Sequence, residues 1–209
     1  MEPDAVEIRV VACLVEKQRT TPDQYPLTLN ALRLACNQST NRDPVVDYDD
    51  STIRSALDRL GRRKWTTLAS WSTARSVKYK HLLDAALGLD DAQLALVCVL
   101  MLRGPQTAGE LRQRTERILA FDSGERLERT LDELVERELA VALPRRSGER
   151  GQRYAHRLAE VEAQASEALP TETPPPPADD GLAPRLERLE VEVATLRDQL
   201  RELREELGP

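Results

Sequence analysis

Residues 49–82 have the sequence DDSTIRSALDRLGRRKWTTLASWSTARSVKYKHL, and this stretch decides the predicted fold. It begins with a capping run of two aspartates and a serine, after which apolar residues recur on one helical face as far as Gly61. Two short extended segments, 65–71 and 77–82, follow on either side of a turn-like stretch. A helix followed by a β-hairpin is typical of the second part of a winged helix.

Two more helices are predicted before this stretch, at residues 5–18 and from residue 27 to about residue 38, where apolar residues recur at helical spacing. Three helices and a β-hairpin complete the winged-helix pattern. We therefore predict a first winged-helix domain at residues 1–83.

The pattern repeats further along the chain, which predicts a second winged-helix domain at residues 84–158. Its predicted elements are helices at 91–102, 107–115 and 124–139 and strands at 140–144 and 152–158. The segment Lys78–His81 of the first copy parallels Arg153–His156 of the second, so both histidines of the chain occupy one equivalent position. This coincidence favours a shared packing role for the histidines over metal binding.

The C-terminal part of the chain predicts a linker and a self-associating helix. Residues 159–183 are acidic and rich in proline, which cannot donate a backbone hydrogen bond, so they predict an extended linker. Residues 184–209 carry apolar residues at alternating spacings of three and four, the repeat of a coiled coil. The flanking charges place no repulsive pair in a parallel arrangement, which favours a homodimer over docking of the helix on its own globular part. The number of strands stays open. The predicted oligomerisation residues are Leu186, Leu189, Val193, Leu196, Leu200, Leu203 and Leu207.

The net charge of −6 is distributed unevenly, because residues 1–82 carry +3, residues 83–158 carry −1 and residues 159–209 carry −8. From Arg59 to the residue before Leu83, seven residues are cationic and none is acidic. Such a run fits either contacts to phosphate or a solvated surface, and the sequence leaves both interpretations open. The candidate DNA-binding residues are Arg54, Arg59, Arg62, Arg63, Lys64, Arg75, Lys78 and Lys80.

The third helices of the two copies differ in charge on their predicted outward faces. In the first copy this face is mixed, and in the second it is mostly acidic, so that it would repel phosphate. We therefore predict that the second domain binds a protein partner or pairs with the first domain. The outward residues are predicted to be Ser51, Thr52, Arg54, Ser55, Asp58, Arg59 and Arg62 in the first copy, and Glu125, Arg126, Glu128, Arg129, Asp132, Glu133 and Glu136 in the second.

Catalytic and metal-binding chemistry is not predicted. The sequence has no glycine-rich phosphate loop, no GxSxG and no HExxH motif, so we expect no enzymatic activity and no cofactor. Cys13, Cys36 and Cys98 are widely separated on apolar helix faces, which indicates buried, inert thiols and neither a disulfide framework nor a metal site. No apolar stretch reaches the roughly 18 residues of a membrane span, and no signal-peptide pattern opens the chain. We expect a cytoplasmic protein without a membrane partner.

Three segments resemble the signature of the YceH family of bacterial proteins. They are CLVEK at 13–17, TTPDQYPLTLNAL at 20–32 and ACNQSTNRDPV at 35–45, and KYKH at 78–81 is similar to the first wing of that family. The resemblance extends over approximately residues 4–158. It implies two tandem winged-helix domains in a cytoplasmic bacterial protein, and it brings no catalytic residue with it.

The sequence thus predicts a mainly α-helical protein with small β-hairpin wings: two tandem winged-helix domains and a C-terminal coiled-coil helix. The predicted function is DNA binding in a regulatory role through the first domain. The alternative is a tandem winged-helix scaffold that binds proteins and no DNA. The polar stretches 20–26 and 37–43 fit either contacts to DNA or internally bonded turns.

Overall fold

The structure is a computed structural model that describes residues 2–69, 76–145 and 151–159. Within these ranges the chain is mainly helical, with seven α-helices and two small antiparallel sheets, as the sequence predicted. The described residues belong to one compact unit of the chain, residues 1–161. Three predictions fall outside the described residues: the linker beyond residue 159, the coiled-coil helix at 184–209, and the role of Arg75.

The first half of this unit runs in the order helix, strand, helix, helix, strand, strand. Its elements are α1 (Ala5–Thr20), a 3-10 turn (Pro22–Gln24), β1 (Leu27–Thr28), α2 (Leu29–Cys36), α3 (Asp50–Arg62), β2 (Thr66–Ala69) and β3 (Lys78–His81). Strand β3 lies between β1 and β2 and is antiparallel to both, so that Tyr79 is opposite Leu27 on one side and Leu68 on the other.

The second half repeats this order after a short helix, α4 (Leu83–Leu87), that spans the predicted boundary between residues 83 and 84. Its elements are α5 (Asp91–Arg103), β4 (Gln106–Thr107), α6 (Ala108–Thr115), α7 (Gly124–Glu136), β5 (Ala140–Leu143) and β6 (Arg153–His156). Strand β6 again lies in the middle, with Tyr154 opposite Gln106 and Ala142. Tyr154 therefore holds the position of Tyr79.

Two predicted helix boundaries are wrong. The helix predicted from Leu27 begins at Leu29, because Leu27 and Thr28 pair with β3 and the Thr28 hydroxyl caps α2 by accepting from the amide of Ala31 at 3.3 Å. The helix predicted to end at residue 139 ends at Glu136. Glu138 has a positive φ of 56°, which turns the chain out of α7 and into β5.

The two halves share their helix caps and turns as well as their order of elements. Asp4 forms a capping box with Glu7 at the start of α1, and Asp90 forms one with Gln93 at the start of α5. Lys64, with a φ of 61°, follows α3 in the way that Glu138 follows α7. The repeat is therefore present in local backbone geometry, beyond the similarity of short sequence segments.

Helices α1 and α5 form the centre of the core. Residues 7–15 of α1 and 92–102 of α5 are buried without interruption. Because these runs are longer than two helical turns, every face of each helix is covered by other elements. The two helices pack against each other, and the Cys98 thiol donates to the carbonyl oxygen of Ala12 at 3.5 Å. This packing joins the two halves through an apolar interior.

Polar contacts also join the halves. The amide of Asp43 donates to the carbonyl oxygen of Leu102 at 2.9 Å, and the Arg103 guanidinium donates to Asn41 Oδ1 at 2.8 Å. Arg19 of α1 forms an ion pair with Asp91 at the start of α5. The connection between α2 and α3 is thus attached to the end of α5, which helps to fix where α3 begins.

Candidate nucleic-acid interface

Helix α3 presents an exposed stripe on the side away from the core. Its buried residues are Ile53, Ala56, Leu57 and Leu60. At about 100° per residue, five of the exposed positions fall within an arc of about 100° on the helix surface. These five residues, which we call the α3 stripe, are Ser51, Arg54, Ser55, Asp58 and Arg62. Asp50 and Gly61 are also exposed and lie outside this arc, where Asp50 forms an ion pair with Arg33.

The start of α3 is fixed by Asp49. Its carboxylate accepts from the amide of Thr52 at 2.7 Å and from the Ser51 hydroxyl at 2.9 Å. The hydrogen bonds from Thr52 and Ser51 lower the pKa of Asp49, so the cap stays ionised near neutral pH. The N-terminal end of the α3 stripe is therefore held in a defined position.

Two of the eight candidate cations contact acidic residues in the cap and first turn of α1. Arg59 Nη2 lies 2.6 Å from Asp4 Oδ2, and Arg59 Nε lies 3.1 Å from Glu7 Oε2. Arg63 Nε lies 3.2 Å from Glu7 Oε1, and the Glu7 side chain is only 2% exposed. The interaction of the Arg59 guanidinium with the Glu7 carboxylate raises the pKa of Arg59. Arg59 and Arg63 thus neutralise a buried carboxylate and attach α3 to α1.

The other candidate cations of α3 and its C-terminal turn face solvent. Arg54, Arg62 and Lys64 are exposed, and none of them has an ion-pair partner among the described residues. These three charges are available to a ligand.

The lysines of β3 lie on the face of the sheet that points away from the core. Side chains alternate along a strand, and Tyr79 and His81 of β3 pack against or within the core. Lys78 and Lys80 therefore occupy the opposite face, where Lys80 is exposed and Lys78 is half-buried. Arg75 lies outside the described residues, so its place relative to these lysines is not described.

The second half contains the same polar network with different charges. Gln93, the counterpart of Glu7, accepts from Arg137 Nη1 at 2.8 Å and donates to Glu133 Oε2 at 3.0 Å. Arg137 corresponds to Arg63, and Glu133 corresponds to Arg59. The Gln93 amide can accept from an arginine and donate to a glutamate because it carries both an acceptor and a donor. The Glu7 carboxylate can only accept, so both of its partners must be donors.

The stripe of α7 that corresponds to the α3 stripe is acidic. It comprises Glu125, Glu128, Arg129, Asp132 and Glu136, all of them exposed. Four carboxylates and one guanidinium give this stripe a charge of −3. Two guanidinium groups and one carboxylate give the α3 stripe a charge of +1.

The polar stretch 37–43 makes internal contacts. Asn37 donates to the carbonyl oxygen of Tyr48 and accepts from its amide, both at 2.9 Å. The fully buried Arg42 side chain contacts both carboxylate oxygens of Glu16, at 3.1 and 2.6 Å, and donates to Gln38 Oε1 at 3.0 Å. These bonds favour the interpretation of an internally bonded turn for Asn37 and Arg42, while Ser39, Thr40 and Asn41 stay exposed.

The two histidines occupy equivalent places in the sheets, since His81 is opposite Thr66 and His156 is opposite Ala140. His81 Nε2 lies 2.6 Å from Gln18 Oε1, while His81 Nδ1 accepts from the amide of Leu83 at 3.3 Å. Burial lowers the pKa of both histidines, that of His156 to about 4. Both rings are therefore neutral at pH 7 and add no charge to a phosphate-binding surface.

The three cysteines are buried in the core. Cys13 donates to the carbonyl oxygen of Ala35 at 3.4 Å, and burial raises the pKa of Cys98 well above its usual value. A hydrogen bond with Cys13, together with burial, raises the pKa of Cys36. Among the described residues, no group of three or more histidine, cysteine, aspartate or glutamate side chains is placed to hold a metal ion. Within the same part of the chain, no helix has the length and apolar character needed to cross a membrane.

These observations define a mainly helical protein built from two copies of one helix-and-sheet unit, in which the cationic surface belongs to the first copy. The chain belongs to the bacterial family described as "Protein of unknown function, DUF480", whose pattern matches residues 4–149. It is 46% identical over 159 residues to a UPF0502 protein of Azotobacter vinelandii, an alignment that covers 76% of this chain and 70% of the relative.

Two further UPF0502 proteins align over a larger share of the chain. The one from Shewanella loihica is 40% identical over 205 residues, covering 94% of this chain and 95% of its own length. The one from Pelobacter propionicus is 44% identical over 201 residues, and the alignment covers 95% of this chain and 91% of the relative. Because so little of the chain is left out, both alignments include most of residues 159–209.

Proposed function

We propose that this protein is a non-enzymatic, cytoplasmic DNA-binding protein that acts in a regulatory role, and that its first half contacts duplex DNA. In this proposal each half is a winged helix. The order of elements and the central position of β3 and β6 support that arrangement, as does the resemblance to the YceH family. In a winged helix that reads DNA, the third helix enters the major groove.

The observation that carries the proposal is the difference in charge between two equivalent stripes. The α3 stripe and its counterpart on α7 have the same exposure and a similar backbone, yet their charges are +1 and −3. Exposure alone therefore does not account for the cations on α3. Phosphate attracts the first stripe and repels the second, so the first half is the one suited to DNA.

The lysines of β3 extend the cationic surface beyond α3. Lys78 and Lys80 correspond to Arg153 and the buried Ala155 of β6, so β3 carries one cation more than β6. Arg59 and Arg63 are assigned to the contact with Glu7 and Asp4, and they are not assigned to phosphate. The proposed phosphate contacts are Arg62, Lys64, Lys78 and Lys80, with Arg75 as a further candidate from the sequence.

A salt titration with the full chain tests the proposal. We expect the logarithm of the affinity for duplex DNA to fall linearly with the logarithm of the salt concentration. The double variant Lys78→Ala, Lys80→Ala should bind more weakly and flatten this slope by about two, about one for each phosphate contact removed. The control Arg129→Ala removes an exposed cation from α7 and should change neither quantity. Equal effects of the two variants would contradict the assignment to the first half.

Binding of a protein partner is the second candidate function. The acidic stripe of α7 favours a partner with a basic surface, and it supports the interaction-scaffold alternative. A full chain that shows no salt-dependent affinity for DNA in the titration would favour this alternative. We also propose that the heptad positions at 186–207 form a homodimer, which would bring two copies of the first half to one DNA molecule.

A further inference from the structure

Arg54 differs from the other cations of the α3 stripe in its position. It is exposed, it lies in the first half of α3, and none of the described ion pairs or hydrogen bonds engages it. Arg62 lies eight residues later on the same stripe, which is about 12 Å along the helix axis. In helices that read the major groove, the N-terminal residues contact base edges. Arg54 and its neighbours Ser51 and Ser55 therefore occupy the base-reading end of the stripe.

Asp58 lies between Arg54 and Arg62 on the stripe and is exposed. A carboxylate is unfavourable against phosphate, so a surface that only contacts the DNA backbone has no use for it. The amino group of cytosine is a hydrogen-bond donor in the major groove, and Asp or Glu side chains accept from it. An arginine can donate two hydrogen bonds to the O6 and N7 acceptors of guanine. The pair Arg54 and Asp58 thus matches the donor and acceptor pattern of G·C base pairs.

Resting on the proposed function, we infer that Arg54 and Asp58 determine sequence specificity by reading G·C base pairs in the major groove. Arg54 donates to guanine and Asp58 accepts from cytosine, while Arg62 contacts phosphate. The preferred DNA is therefore a duplex with G·C pairs in the stretch of major groove that α3 enters. The counterparts of Arg54 and Asp58 on α7 are Glu128 and Asp132, so the second half has no donor for guanine at the position of Arg54.

The test begins with selection of preferred sites from a random duplex library by the full chain. Affinity is then measured for the selected duplex, for the duplex with single G·C pairs changed to A·T, and for a duplex in which guanine is replaced by 7-deazaguanine. This analogue lacks the N7 acceptor and keeps base pairing. We expect the wild-type chain to bind the selected duplex about 10- to 100-fold more tightly than the duplex changed at the guanine that Arg54 reads.

Three variants separate reading of bases from attraction to phosphate. Arg54→Ala should lose the preference for that guanine, so that the selected and changed duplexes bind alike. Arg54→Lys keeps the positive charge and loses the bidentate hydrogen bonding of the guanidinium. It should therefore retain general affinity for DNA and lose much of the preference for guanine. Arg62→Ala makes the same chemical change two turns further along the stripe, and it should weaken binding to every duplex by the same factor. Thermal unfolding of each variant checks that the fold is intact.

The outcomes distinguish this inference from the proposed function. Binding to DNA with a preference that Arg54→Ala and 7-deazaguanine leave unchanged would overturn the inference while the proposed function stands. The inference would also be overturned, and the proposed function would stand, if Arg54→Ala and Arg62→Ala each reduced the affinity for the selected and changed duplexes by the same factor. Failure of the wild-type chain to bind any duplex would overturn the proposed function and the inference with it.

Discussion

Exchanging Glu7 and Arg59 for their counterparts in the second half should restore stability that the single exchanges remove. Glu7 is 2% exposed, forms an ion pair with Arg59 Nε at 3.1 Å and accepts a hydrogen bond from Arg63 Nε at 3.2 Å. In the second half, Gln93 and Glu133 hold these positions and are hydrogen-bonded at 3.0 Å. The double variant Glu7→Gln, Arg59→Glu therefore reproduces an arrangement that the chain already contains.

The expected magnitudes follow from the burial of Glu7. Glu7→Gln alone keeps an acceptor for Arg63 and loses one charged hydrogen bond, which should cost about 1 kcal/mol of unfolding free energy. Arg59→Glu alone places a carboxylate against a buried carboxylate. It should cost about 2–3 kcal/mol, somewhat less than for a fully buried pair, because Arg59 is a third exposed and partly screened by water. The double variant should cost about 1 kcal/mol, because the amide of the new glutamine donates to the new carboxylate. The coupling energy should then be about 2–3 kcal/mol.

Urea unfolding of the full chain, followed by far-ultraviolet circular dichroism, measures these free energies. The matched control combines Glu7→Gln with Arg54→Glu, which reverses an exposed and unpaired arginine on the same helix. The effects of that pair should add within about 0.5 kcal/mol. A coupling energy for the Glu7 and Arg59 pair no larger than the control's would refute the assignment of Arg59 to a structural role.

Three further predictions concern stability and assembly. Because burial lowers the pKa of His156 to about 4, below the ordinary 6.5, its contribution to stability should be complete above pH 6.5 and be lost as the pH falls towards 4. The free energy of unfolding should fall by on the order of 2–4 kcal/mol over this pH range. Urea titrations at several pH values measure this fall, and it should be smaller in His156→Phe. Arg42→Ala should cost about 3–5 kcal/mol because it leaves a carboxylate without its buried partner, whereas Arg54→Ala should change the urea midpoint little. Val193→Asp with Leu200→Asp should dissociate the predicted homodimer in light scattering without changing the thermal unfolding of the globular part; an unchanged mass would contradict the heptad assignment.

Local sequence signals predicted most helices of the fold. Asp49 and the residues after it are a strong capping signal, and α3 begins at Asp50, two residues before the predicted position, because Asp49 alone is the cap. The apolar run at residues 92–102 is too long for a typical strand, and it correctly predicted the helix α5. The strands β1 and β4 are only two residues long, and their stability comes from pairing with β3 and β6, which lie far away in the sequence. Nothing in the local pattern at Leu27 distinguishes such a strand from the first turn of a helix.

The candidate site could be predicted in part. Helical periodicity placed Ser51, Arg54 and Arg62 on the outward face of α3, and they are exposed there. The same periodicity could not separate Arg59 from these residues, because its partners Asp4 and Glu7 lie on a helix that is distant in the sequence. The sequence offered one signal that Glu7 has a structural role. The capping-box pattern at residues 4–7 is repeated at residues 90–93, with glutamine in place of glutamate.

The most direct test of the account transfers the charge pattern of α7 to α3. The double variant Arg54→Glu, Arg62→Glu places the residues of α7 at the equivalent exposed positions of α3, and its reciprocal, Glu128→Arg with Glu136→Arg, does the opposite in the second half. The affinity of the full chain for duplex DNA is measured across a series of salt concentrations. We predict that the first variant binds much more weakly and with a flatter salt dependence, since Lys64, Lys78 and Lys80 keep their contacts, while the reciprocal variant binds at least as tightly as the wild-type chain. Undiminished binding by the first variant would contradict the claim that the first half contacts DNA through α3.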